Sequence, residues 1–110
     1  MKQVNVRIVE NSRLARLAGW KLQTNRCAMV LGEHILLHGI TKQEILEDIS
    51  LLRHEVCHVL QWKRMGYLRF LFFYLWWSFR YGYHKNPLEQ EAREAEHDPE
   101  ILKKILIHRK

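Results

Sequence analysis

Apolar and polar residues alternate at the start of the chain. Val4, Val6 and Ile8 are set against Asn5 and Arg7, the period-two pattern of a strand. Asn11 or Ser12 can then cap a short helix over 13–18, with Gly19 as its stop. Between 26 and 40 lie two apolar runs, 27–31 and 34–38, separated by Gly32-Glu33, and these predict a hairpin. Thr41 and Glu44 have the spacing of a capping box. Behind them Ile45, Ile49, Leu52, Val56, Val59 and Leu60 recur three or four residues apart, which predicts an amphipathic helix running to Met65 and ending at Gly66.

Ten of the twelve aromatic residues fall between 67 and 83. The uncharged run from Arg69 to Arg80 is too short to cross a bilayer and reads as a buried core helix. The alternatives are an interfacial membrane helix or an oligomer contact such as a homodimer. Asn86 as cap with Pro87 in the first turn opens another helix, which Asp98-Pro99 breaks. Ile101, Leu102, Ile105 and Leu106 then recur at helical spacing. The fold class expected is α+β: a small antiparallel or mixed three-stranded sheet packed on two helices.

Composition narrows this picture. A chain of 110 residues with 47 % hydrophobic and 27 % charged residues forms one domain. The net charge of +6 is dispersed, and no helix-turn-helix, zinc-finger or RNP signature accompanies it, so no specific nucleic acid is expected as partner. Two cysteines, Cys27 and Cys57, make no disulfide framework. The N-terminal residues lack the apolar stretch of a secretory signal, which points to a cytoplasmic chain.

The informative chemistry is His54-Glu55-Val56-Cys57-His58, an H-E-x-x-H motif in the middle of the predicted helix. Residues four apart share a helix face, so both imidazoles can reach one Zn²⁺, with Glu55 beside them as general base on a water polarised by the metal. A catalytic zinc takes three protein ligands and keeps one position open. Candidates for the third are Glu89, Glu91, Glu94 and Glu96 on the late helix, or His34, His38, His84, His97 and His108. No H-x-x-G-x-x-H extension follows the motif, which favours a glutamate on a second helix. Tyr81, Tyr83 or His84, just before that helix, can stabilise an oxyanion; Tyr83 and His84 are the candidates retained.

Glu89-Gln90-Glu91-Ala92 resembles the start of the E-x-E-A-D signature of gluzincins, a group that includes the CAAX prenyl proteases. With H-E-x-x-H upstream in so short a chain, residues 50–96 resemble the minimal single-domain gluzincins called minigluzincins. The resemblance implies a zinc endopeptidase acting on a peptide or protein substrate held extended against a sheet edge. It also implies His54, His58 and Glu89 as ligands and Glu55 as the base. By helical angle Glu91 lies nearer than Glu89 to the small apolar face of Leu88, Ala92 and Ala95, and competes for the third position. The family's Asp falls on Arg93, so the acid that would support a ligating histidine is unassigned. Latency is implied as well: residues 1–97 would form the peptidase domain and 98–110 a segment over the cleft, as in a zymogen. The alternatives are a non-catalytic scaffold stabilised by zinc, and a membrane or oligomer interaction module.

Overall fold

The opening alternation becomes strand β1 (Val4–Val9), with Val6 and Ile8 buried. The computed structural model describes residues 3–107. Ser12 caps α1 (Arg13–Lys21), accepting a hydrogen bond from the Ala15 amide at 3.2 Å. Gly19 lies inside this helix instead of ending it. A Cβ there would sit 3.0 Å from the Thr24 carbonyl oxygen and 3.5 Å from Cys27 Cβ, so the glycine permits a close approach to the next strand.

The hairpin forms as the pattern predicts: β2 (Cys27–Leu31) and β3 (His34–His38) pair antiparallel, Leu31 opposite His34. Gly32, at φ +62°, makes the turn. Ile35, Leu36 and Leu37 are all buried, so β3 is covered on both faces.

The capping box of Thr41 and Glu44 opens α2 (Lys42–Glu47), but that helix does not continue into the motif. Asp48 leaves the helical region (φ −94°, ψ 85°) and its carboxylate accepts from the Leu51 amide at 3.1 Å. An aspartate that caps the next turn competes with helix continuation, and α3 (Ile49–Met65) therefore starts afresh.

Helix α4 (Tyr67–Tyr81) runs between Gly66 (φ 85°, ψ 161°) and Gly82 (φ 86°, ψ 161°), a backbone region that essentially only glycine adopts. The reading of this segment as a buried core helix is corrected here, since Phe70 is its one fully buried residue. Asn86 caps α5 (Pro87–Ala95), its side chain accepting from the Leu88 amide at 2.9 Å.

The predicted last helix does not form. Residues Ile101–Lys104 make a 3-10 turn and Ile105–Ile107 make β4, which pairs in parallel with β1, Val4 opposite Ile105. The free edge of β1 offers these residues a ladder, and Ile101 and Ile105 become buried through it. The α+β class holds; among the described residues the sheet is mixed and four-stranded, in the order β2-β3-β1-β4, where three strands were expected, and there are five α-helices. The main core joins Val6, Ile8, Ile35 and Leu37 of the sheet to Val56 and Val59 of α3 and to Ala92 and Ala95 of α5. Those alanines let α5 lie close against α3. Of the C-terminal segment expected over a cleft, residues 105–107 occupy the sheet edge farthest from β2, and the 3-10 turn before them packs on α3.

Candidate metal centre

Rigid backbone on two packed helices brings three donor atoms together. His54 Nε2 lies 3.1 Å and His58 Nε2 3.2 Å from the same oxygen, Oε1 of Glu89. His54 is half-buried, His58 and Glu89 are buried, and these three form a metal-capable group among the described residues. Donors about 2.0–2.1 Å from one tetrahedral ion sit roughly 3.3–3.4 Å apart, close to the spacing found here.

Each donor is held from behind. His54 Nδ1 is 2.8 Å from a carboxylate oxygen of Glu96, and Arg53 donates to the Glu96 carbonyl at 3.1 Å. His58 Nδ1 is 2.8 Å from Gln61 Oε1. The Gln61 amide in turn donates to the Leu88 carbonyl at 3.0 Å and to Glu91 at 2.7 Å. Tyr74, on α4, donates its hydroxyl to Glu89 Oε2 at 2.5 Å, which leaves Oε1 to face the imidazoles.

These partners decide what the group can bind. Glu96 and Gln61 Oε1 are acceptors, so both histidines carry their protons on Nδ1. Their Nε2 lone pairs then converge with a carboxylate oxygen, and three acceptors cannot share one point without a cation between them. A metal ion satisfies this arrangement, and protons are the substitute. Burial alone would lower the His54 pKa, yet the hydrogen bonds to Glu89 and Glu96 raise it to about 9. His58 is raised despite burial, through Glu89 again. Glu89 is itself held far below the usual carboxylate range, because hydrogen bonds from His54 and His58 outweigh its burial.

Glu91 turns away from this point. It accepts from Gln61 and from Arg64 (3.2 Å), so it buttresses the histidine support. Arg93 donates to the His84 carbonyl and ties down the loop before α5. The acid behind His54, unassigned from the sequence, is Glu96. Two turns of helix separate Glu89 from Glu96, and that shared face was the signal in the sequence that could have identified it. Three-residue spacing from His58 likewise pointed to Gln61. Tyr74 had no comparable signal.

The donors open onto a cleft of about 280 Å³ walled by α1, β2, α3 and α4. Glu55 lines it, only 6 % exposed, and burial raises its pKa to about 7, although charge on His58 and His54 pulls the other way. Tyr83 also lines the cleft; loss of water around its hydroxyl and the Glu89 and Glu55 charges push its pKa up to about 12. His84 and Tyr81 do not line it, and neither do His34, His38, His97 or any described residue beyond Glu89. His108 lies outside the described residues. β2, an edge strand, forms one wall through Ala28, Met29, Val30 and Leu31. Comparison with family models, characterised proteins and solved structures finds no match to this chain.

Proposed function

We propose that this chain is a zinc-dependent endopeptidase of the gluzincin type. The observation that carries the reading is the convergence of two imidazole Nε2 atoms and the Glu89 oxygen beside a cleft that also holds Glu55. Two histidines and a glutamate are the donor set of catalytic zinc sites, and an opening toward a cleft distinguishes such a site from a closed structural one. A zinc ion held there would supply a Lewis acid for the peptide carbonyl and make a bound water more acidic.

The remaining chemistry belongs to the chain. Glu55, with a pKa near neutrality, takes a proton from the attacking water and delivers it to the departing amine. Tyr83, protonated at neutral pH, is the candidate donor to the developing oxyanion. His84, the other candidate, is not among the residues lining the cleft, which favours Tyr83 for this role. The free edge of β2 can take an extended peptide as an added strand, with main-chain hydrogen bonds supplying affinity. Val30, Leu31, Trp62, Phe70 and Leu71 make the lining largely apolar, which favours substrates with apolar side chains near the scissile bond.

The test is Glu55→Gln, assayed with an unstructured protein substrate and by metal analysis. Zinc content should stay at the wild-type level while hydrolysis falls by roughly 10²–10⁴. Activity retained in that variant would refute the mechanism.

A further inference from the structure

An amphipathic surface helix ordinarily turns a polar face to water. α4 does the opposite. Leu68, Leu71, Phe72, Leu75, Trp76 and Phe79 are 86, 43, 61, 65, 50 and 84 % exposed, and at helical spacing they form one continuous stripe opposite the buried Phe70. Arg69 and Arg80 border the stripe on one side. On the other wall of the cleft, α1 and the residue after it expose Leu14, Leu17, Trp20 (73 %) and Leu22 (70 %). Leu22 and Leu71 also line the cleft, so the two apolar surfaces flank its mouth.

The charge on these segments is of one sign. From 56 to 88 there is no acidic residue, while Lys63, Arg64, Arg69, Arg80 and Lys85 are basic; from 11 to 32 there is again none, against Arg13, Arg16, Lys21 and Arg26. All the acids lie elsewhere in the chain. An exposed apolar stripe with aromatic residues, bordered by cations and free of acids, fits an anionic lipid surface. A second copy of the chain fits it poorly: a two-fold contact through α4 would bring the arginines Arg69 and Arg80 of one copy near those of the other, and the helix itself carries no acid to pair them. No described helix is long and apolar enough to cross a membrane. At 1.5 Å per residue α4 lies in the interface instead of spanning it.

We propose that the protein docks on anionic bilayers through the exposed face of α4, with the apolar surface of α1 beside it, so that the cleft opens at the lipid surface. This stands apart from the peptidase reading and does not depend on metal.

The experiment is vesicle binding by the full chain, with phosphatidylcholine alone and phosphatidylcholine mixed with phosphatidylglycerol, followed by co-sedimentation and tryptophan fluorescence. The mixed vesicles should bind the protein and shift its emission to the blue. Brominated lipids should quench that emission in the wild-type protein, a depth reading that needs no variant. The double variant Phe72→Ser/Phe79→Ser removes exposed side chains only and should abolish binding. Arg69→Gln/Arg80→Gln should weaken it on the order of tenfold or more. Absence of binding to the mixed vesicles overturns the proposal. So does binding that survives the Ser variant with no quenching by brominated lipid, which is adsorption by charge alone. A wild-type dimer that the Ser variant dissociates and that vesicles do not displace would assign the face to a second copy.

Discussion

Replacing Gln61 by leucine separates the support of the metal group from the group itself. The side chain is 1 % exposed, and its loss touches no donor atom directly. What it removes is the acceptor at 2.8 Å from His58 Nδ1 and two hydrogen bonds toward α5. The buried Nδ1–H is then unpaired, at about 1–3 kcal/mol in the metal-free protein. The imidazole can avoid that cost by moving its proton to Nε2, where it donates to Glu89. In that tautomer metal binding must expel the proton, and His58 is no longer aimed by its partner. Loss of such support typically weakens metal affinity 10–100-fold, or about 1.4–2.8 kcal/mol. Zinc affinity would be read by competition with a chromophoric chelator, and metal-free stability by urea unfolding of the same samples. A variant that unfolds more easily yet binds zinc within about threefold of wild type would refute the reasoning, because it would show that Gln61 packs α5 without orienting His58.

Three other outcomes follow from the same geometry. Glu96→Ala removes the carboxylate behind His54 and should weaken zinc binding by a similar 10–100-fold while lowering the His54 pKa, measurable by NMR titration. The pH dependence of metal-free stability has a definite sign. Glu89, whose pKa is depressed, stabilises above its unfolded 4.5 and less as pH falls. Glu55, raised to about 7, and His54, raised to about 9, bind protons more tightly when folded, so their contributions decline over about 4.5–7 and 6.5–9 respectively. Stability from these groups should therefore peak near pH 4.5 and fall toward 9, while the thermal gain on adding zinc rises with pH as protons leave the ligands; a zinc gain independent of pH would contradict this. Leu37→Ala, in the strand that joins both faces of the core, should cost about 2–5 kcal/mol by denaturant titration without changing zinc stoichiometry.

How far the sequence reaches depends on whether the determinant is local. Caps and turns were legible because each is set by a few adjacent residues: Thr41 with Glu44, Gly32 in the hairpin, Asn86 with Pro87. The pairing of His54 with His58 follows from helix geometry alone. Choosing between Glu89 and Glu91 was not decidable that way, because the outcome depends on how α5 rolls on α3, and Gln61 with Arg64 draws Glu91 to the other side. Tyr74 reaches Glu89 only because the chain reverses at Gly66 and folds α4 back. Its apolar composition could not say which of its faces lacks a cover. β4 needed the edge of β1, far away in the sequence, before the end of a run with helical spacing could become a strand.

That last pairing joins the two ends of the described chain. β1 finds its outer partner only in residues 105–107, so the ladder between them closes a loop over nearly all of the described residues. Domains generally fold as units, and Ile101 and Ile105 share one core with Val56 of α3 and Ala92 of α5, so this end-to-end ladder is tied to the helices that hold the donors. The strand that closes the sheet and the helices that carry the chemistry thus stand or fall together.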